Sequence, residues 1–422
     1  MLRSSLGFHT ITLSLILDKK TAGNLIRDFR KYSQDTGLIK MYFVNGKDIS
    51  LVNQRKEDGT YETVITRNKN LKITYYQKYK GIEWLIRYND WSRDFKSYII
   101  EVTINPKILS GINDYISAAT YDNMEAAIKN FNLESEKISF YLKTFESYSI
   151  KRVDYCINFS LNELAPGCSP EQIMKLIKRS DIPPHYEEWK EYDATAHRTK
   201  SKKSSFYLIN PSVNINCYMK HVELQERSQK YESRGYPQIT PEMLDESKYI
   251  IRFEVQCKYQ KMYASNRRAE ESGNRETNKY ESLLSNEACH DVIDHYFKKS
   301  IGRGDWYTMQ AAIRMVQSHN FNTQKEKRLI DALKFVNECH SLVDAKSTYQ
   351  GDDLKAFKRT LSDLSNLGIN PVTIPKNWGI KHLPNLLYAY SDKVHDERLK
   401  KENDEFWAKE LHKYIKKYGV SV

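Results

Sequence analysis

The chain has 422 residues, enough for about two to three domains of ordinary size and a sizeable core. Its 66 Lys and Arg against 54 Asp and Glu leave a net charge of +12, which favours a polyanionic partner, nucleic acid ahead of an anionic membrane surface. Residues are 40% hydrophobic and 28% charged and no apolar run nears the ~20 of a spanning helix, which excludes an integral membrane protein; with no Walker loop or GxGxxG turn, a nucleotide-powered motor is not indicated.

The first element is a strand over 8–17, in which Ile11, Leu13, Leu15, Ile16 and Leu17 are interleaved with Thr10, Thr12 and Ser14, the pattern of a strand and not of a signal peptide. A helix over 20–35 follows, with Leu25, Ile26, Phe29 and Tyr32 on one face. Further strands are expected at 37–44, 62–66, 71–78, 82–88, 97–104, 149–161, 204–209, 213–221 and 248–258. Between them lie a helix over 123–147, broken at Asn132, and one over 169–180 that Ser169 caps with Pro170 at its first position. This mixture implies an α+β fold built on an antiparallel sheet. Tyr98-Ile-Ile-Glu-Val-Thr and Tyr249-Ile-Ile-Arg-Phe-Glu begin alike, which raises duplication of a half-domain as one reading.

Polar, charged segments at 184–203 and 223–247, the second with a turn at Gly235 and Pro237, read as loops, and 265–278 is nearly devoid of apolar residues and suits a linker. Beyond it the pattern is helical at 280–299, 306–319, 324–344 and 353–367, and the Gly- and Pro-punctuated stretch 368–384 offers a turn within a helix-turn-helix unit. Three regions are therefore expected: an α+β domain over 1–275, an all-helical one over 276–390, and a helical tail over 391–422 dense in both signs of charge. Six widely spaced cysteines without a CxxC pair fit a reducing cytoplasm.

Three stretches carry chemistry. In 250–257, alternation sends Arg252, Glu254 and Gln256 to one sheet face and Ile251, Phe253 and Val255 to the other. The chain then turns helical, with Tyr259 and Tyr263 at i, i+4 beside Lys258 and Lys261. A phenol is a weak nucleophile at its usual pKa of ~10, but neighbouring cations favour the phenolate, which suits attack on a phosphodiester; the alternative is an aromatic pair that packs a helix on a sheet. In 150–159, Arg152, Asp154, Cys156 and Asn158 alternate with Val153, Tyr155, Ile157 and Phe159. A carboxylate buried in mid-strand needs a cation, either a bound metal or a partner such as Arg152. In 206–221, a hairpin places Asn214, Asn216, Tyr218 and Lys220 on one face, where Lys220 is a candidate to neutralise a phosphate or is simply exposed.

The order of Arg152-Val-Asp154, Tyr218-Met-Lys220, Arg252-Phe-Glu254 and Tyr259-x-x-x-Tyr263 resembles phage and plasmid rolling-circle replication initiators of the replication-initiation-factor type, with similarity to filamentous-phage replication endonucleases and HUH-like nickases. Asn370-Pro-Val-Thr-Ile-Pro-Lys-Asn-Trp378-Gly looks like the C-terminal region of such proteins, so the resemblance spans roughly residues 95–390. It implies a nicking-joining enzyme in which Tyr263 or Tyr259 attacks a DNA phosphate and becomes linked as a 5′-phosphotyrosine. Mg²⁺ or Mn²⁺ on Asp154 and Glu254 would assist, as would Lys220 and Lys258. Arg152, Arg252, Lys261, Arg267 and Arg268 are the candidate DNA contacts. The His-hydrophobic-His pair of the wider superfamily is missing, so carboxylates must replace it; His9 and His221 are the histidines placed to join, while Glu101 aligns with Arg252 and not with Glu254.

The resemblance implies single-stranded and duplex origin DNA as partners in the cytoplasm of a bacterial host. It is also compatible with an oligomer, and the absent phosphate loop points to a host helicase for strand separation. The competing readings are a non-catalytic origin-binding or regulatory protein and a mobilisation relaxase with the same chemistry. The helical region either reads duplex DNA or is a plain bundle that caps the sheet or binds the helicase.

Overall fold

Strand formation follows the alternation closely, and each of the ten strands expected from sequence is present. The computed structural model describes residues 4–37, 40–43, 51–55, 61–65, 72–77, 80–89, 97–193, 198–234, 238–264, 280–396 and 405. Arg267, Arg268, the 265–278 linker, the Gly235–Pro237 turn and most of the 391–422 tail lie outside them.

In chain order the first half comprises β1 (Ser5–Leu17), α1 (Lys19–Thr36), β2 (Lys40–Phe43), β3 (Leu51–Arg55), β4 (Tyr61–Ile65), β5 (Lys72–Gln77), β6 (Ile82–Asn89), β7 (Ser97–Ile104), α2 (Pro106–Leu109) and α3 (Tyr121–Ile138). There follow β8 (Ser149–Ser160), α4 (Leu161–Leu164), α5 (Pro170–Lys178), β9 (Glu187–Glu188), β10 (Glu191–Asp193), β11 (Arg198–Lys200), β12 (Ser205–Ile209), β13 (Val213–Met219), α6 (Lys220–Arg234), α7 (Pro241–Glu246), β14 (Ile250–Cys257) and a helical turn, α8, over 259–264. The rest is mainly helical: α9 (Tyr280–Leu283), α10 (Asn286–Ser300), β15 (Trp306–Tyr307), α11 (Met309–Gln317), α12 (Thr323–Glu338), α13 (Leu342–Ser347), α14 (Gly351–Asn366) and β16 (His382–Leu383).

Ten strands form one sheet in the order β2-β5-β6-β7-β1-β8-β14-β13-β12-β9. Neighbours from β2 to β8, and again from β14 to β9, run antiparallel. The order is mirrored about the central β1–β8 pair, and each half carries a separate two-stranded hairpin at the same place, β3–β4 between β2 and β5 and β10–β11 between β9 and β12. The protein is thus α+β. It divides into two compact units, Met1–Asn158 with Ile182–Tyr296, and Phe159–Asp181 with Phe297–Val422. No helix among the described residues is long and apolar enough to cross a membrane.

In the sheet unit, α1 and α3 cover one face through an aromatic cluster. Phe29 stacks on Tyr75 at 4.3 Å and meets Trp84 at 5.6 Å, and Phe131 of α3 sits 5.5 Å from Trp84, all buried. Such pairs add about 0.5–1.5 kcal/mol each beyond burial. Asp18 caps α1 by accepting from Thr21 N at 2.8 Å, and Gly37, at φ +65°, ends it. Helix α3 corrects the expected 123–147: it runs unbroken through Asn132 and stops at Ile138. The Asn132 side chain accepts from Phe145 N at 2.8 Å and ties the following turn to the helix. Ser169 and Gln172 form the capping box of α5, with Pro170 at the first position as expected.

The helical unit packs Leu329, Leu333 and Val336 of α12 against Leu361 and Leu364 of α14. The stretch 368–384, which lies between α14 and a further helix over 386–396, is not a tight turn. It runs beside 305–308, bridging Asp305 to Ile369 and Thr308 to Ile374 and pairing β15 with β16.

Gly7 of β1 decides how the chain enters the site. Phe8 exchanges two backbone hydrogen bonds with Ala119, and a Cβ at Gly7 would lie 2.0 Å from Ala119 O. Gly7→Ala is expected to lower stability by about 1–3 kcal/mol, as overpacking does, read as a lower urea midpoint with unchanged slope; a neutral result would mean that the 119 segment moves aside freely.

Candidate active site

Three adjacent strands, β1, β8 and β14, build the site. On β14 the expected alternation holds, and Arg252 and Glu254 are buried on the polar face with half-buried Gln256 beside them. On β8, Asp154 is buried opposite Thr10 of β1. The β1–β8 register slips between Phe8 and Thr10, so His9 is the extra residue of a bulge, a device that re-aims a side chain. One ligand atom each from His9, Asp154 and Glu254 lie within 4.8 Å of one another. Asp154 and Glu254 therefore meet as expected, and His9 joins them. His221 does not: it starts α6 and its Nδ1 lies 2.8 Å from Leu244 O, holding α7.

The carboxylates differ in their partners. Arg152 forks onto Asp154, Nε to Oδ1 and Nη2 to Oδ2, both at 2.6 Å. Glu254 Oε1 accepts from Gln256 Nε2 at 2.8 Å, and Tyr218 Oη approaches Oε2 at 3.4 Å. His9 Nδ1 lies 2.9 Å from Glu254 Oε2 yet makes no hydrogen bond of acceptable geometry, a buried ring nitrogen facing a carboxylate. Burial, and secondarily Glu254, push the Asp154 carboxyl up to about 7. Burial also favours protonated Glu254, but His9, Gln256 and Arg252 outweigh it and hold Glu254 well below the usual carboxylate range. Burial, with help from Arg252 and Lys220 and against the attraction of Glu254, lowers the His9 pKa. An imidazole and two carboxylates whose ligand atoms lie this close together are a donor set that fits a divalent cation. A cavity of about 180 Å³ opens onto all three, with Arg152 and Thr10 also in its wall.

Behind the carboxylates lies a sealed ionic cluster. Arg252, expected at DNA, is fully buried; it donates to Asn158 Oδ1 at 2.7 Å and to Ile116 O, pinning the 116 segment over the sheet. Lys220, expected to face a phosphate, is 1% exposed and binds Glu223 at 2.7 Å. The cause is a strand that ends at Met219: the chain turns helical at Lys220, and its side chain meets Glu223 one turn on, with Arg227 pairing the same carboxylate. Glu223 and Arg227 were not among the expected site residues, although the Lys-x-x-Glu-x-x-x-Arg spacing from 220 to 227 shows them on one helix face. Glu101 sits apart from the carboxylates and pairs with Arg87 at 2.7 Å and with Lys151.

The helical turn α8 begins two residues after β14. Tyr259 and Tyr263 are 56% and 57% exposed, and their rings stack at 6.0 Å. They do not pack the turn onto the sheet; buried Met262 does. Lys258 Nζ donates to Asn210 O at 2.8 Å, so it braces the β12–β13 turn, and Lys261 is half-buried. On the polar face next to β14, Tyr207 Oη accepts from Asn214 Nδ2 at 2.7 Å and is within 3.4 Å of Gln256, continuing the network from Glu254.

No family model matches the sequence, and none of the curated proteins matches it. Among solved structures, a rolling circle replication initiator protein from Geobacillus stearothermophilus is similar over 70% of this chain and 85% of its own, at 7% identity and a TM-score of 0.31.

Proposed function

We propose that the chain is a DNA strand transferase of the rolling-circle initiator kind, nicking and rejoining one strand through Tyr263 or Tyr259. The observation that carries this reading is the meeting of His9, Asp154 and Glu254 from three neighbouring strands, with an exposed pair of phenols on the turn that leaves the third strand. A phenolate oxygen bonds to phosphorus, the bond from phosphorus to the 3′ oxygen breaks, and that oxygen takes a proton and departs as a 3′-hydroxyl. The 5′ phosphate stays on the tyrosine, and the second phenol permits a return transfer. Mg²⁺ or Mn²⁺ on the three ligands would polarise the scissile phosphate and offset the charge that develops on it. Asp154 and Glu254 present oxygens, and His9 a nitrogen.

The mirrored strand order favours a duplicated half-domain, β1–β7 and β8–β14, since Tyr98-Ile-Ile lies at the start of β7 and Tyr249-Ile-Ile leads into β14, strands that occupy equivalent places. In this alignment Thr103 stands where Glu254 does, so one half alone supplies the acid. Under the same reading the sheet unit is catalytic, the helical unit binds origin duplex, and a host helicase in the bacterial cytoplasm separates the strands.

Incubating the protein with single-stranded oligonucleotides tiled across its own replicon, with Mn²⁺, is expected to give a protein–DNA adduct on a denaturing gel. Tyr259→Phe/Tyr263→Phe should give none, and an adduct in that double variant would refute the nucleophile assignment. One observation favours a second reading: both Asp154 oxygens are already taken by Arg152, as in a purely structural ion pair. A wild-type protein that binds its origin tightly and forms no adduct with any divalent ion would establish a non-catalytic binder.

A further inference from the structure

Arg152 is held differently from the other buried-face cations. Arg252 is bound by Asn158 and the Ile116 carbonyl, and Lys220 by Glu223. Arg152 has no hydrogen bond among the described residues except the two to Asp154. Its side chain is 37% exposed, whereas that of Asp154 is 1% exposed, so the guanidinium reaches the carboxylate from the open side of the cavity. Residues 152 and 154 project from the same face of β8, so the fork opens by side-chain rotation alone. Glu254, by contrast, is approached by Gln256, Tyr218 and His9, with no guanidinium or ammonium in contact among the described residues.

We propose that Arg152 is a removable counter-ion: it neutralises Asp154 while the three-ligand site is without a cation, and transfers its fork to a DNA phosphate when the site is loaded. This rests on the reading of His9, Asp154 and Glu254 as a divalent-cation site. A guanidinium and a divalent ion compete for the same carboxylate, and a guanidinium suits a phosphate as well as it suits a carboxylate. A phosphate that captures Arg152 frees Asp154, so cation binding and DNA binding strengthen one another by the same factor. Arg152 is then a positioning residue that makes the loaded site dependent on bound DNA.

The test measures Mn²⁺ affinity of the full chain by calorimetry and by electron paramagnetic resonance of the free ion, with and without single-stranded oligo(dT). In wild type, oligo(dT) is expected to tighten Mn²⁺ by about 10-fold, within the ordinary range of coupling. Arg152→Met should bind Mn²⁺ about 10-fold tighter without DNA and gain nothing from it; Arg152→Lys, which keeps the charge but not the fork, should fall between and serves if the Met variant does not fold. Equal Mn²⁺ affinity in wild type and both variants, unmoved by DNA, would overturn the counter-ion role and leave the cation site standing. Absence of Mn²⁺ binding in wild type and variants alike would overturn the site and this inference together.

Discussion

Asp154→Asn is expected to abolish Mn²⁺ binding and to slow adduct formation by at least ~10³-fold, about 4 kcal/mol of barrier, while the protein stays folded. The fold survives because the substitution removes a burdensome charge. Burial, first, and the nearby Glu254, second, push the Asp154 carboxyl up from the usual 3.8 to about 7, against the pull of Arg152. A carboxyl raised in this way contributes its stability below the unfolded pKa and loses it as pH rises through the folded one. At pH 8 the wild-type protein therefore carries the cost of an ionised, buried Asp154, on the order of a few kcal/mol, and the Asn variant does not. The variant should melt above wild type at pH 8, with the gap closing toward pH 5. Arg152, left alone, is exposed enough to be solvated. Mn²⁺ should raise the melting temperature of wild type at pH 8 by mass action and leave the variant unmoved. Glu254→Gln should lose metal and activity likewise, but without the stabilisation, because Glu254 is held ionised by its surroundings. An Asn variant that still forms the adduct would remove Asp154 from the metal site, and one less stable than wild type at pH 8 would overturn the buried-charge cost.

What the sequence showed and what it hid divide along a physical line. Period-2 alternation depends only on the local chain, so Arg252, Glu254 and Gln256 were correctly set on one face of β14, and Asp154 on the same polar face through β8. His9 was no better a candidate than His221, because what brings it to Glu254 is a one-residue slip between two strands about 150 positions apart in sequence, and such a slip leaves no local trace. Alternation carried through to 221 places Lys220 on the sheet face, but β13 ends at Met219; once the chain turns helical at 220 the side chain leaves that face for Glu223. Arg252 was judged by its charge alone, whereas its partners Asn158 and Ile116 O come from other parts of the chain. The similar openings of β7 and β14 were faint in sequence, and their matching places in the sheet give them weight.

The cluster behind the carboxylates allows an equally large effect on stability. Glu223 is held down to about 2 against 4.5, burial opposing this and Lys220 and Arg227 overcoming it. Lys220 is brought down from 10.5 to about 8, by burial first and Arg252 second. The depressed acid stabilises the fold above pH 4.5 and withdraws that support as pH falls toward 2; the depressed amine costs stability while it is charged and ceases to do so as pH rises from 8 toward 10.5. The two displacements act on stability in opposite directions near neutrality, and a buried ion pair commonly adds little net. Breaking it is another matter. Glu223→Gln leaves Lys220 sealed beside Arg252 without its acid and should cost about 3–5 kcal/mol at pH 7; because Glu223 raises the Lys220 pKa, its loss lowers that pKa further, and the partial recovery as Lys220 sheds its proton should begin below pH 8. Lys220→Met leaves Glu223 its Arg227 partner and should cost much less, and adding it to Glu223→Gln should restore stability, a coupling that a double-mutant cycle in urea measures directly. If Lys220 is structural, the Met variant keeps adduct formation within about 10-fold of wild type, roughly 1.4 kcal/mol of barrier. A loss of ~10³-fold or more at unchanged stability would return this lysine to the chemistry.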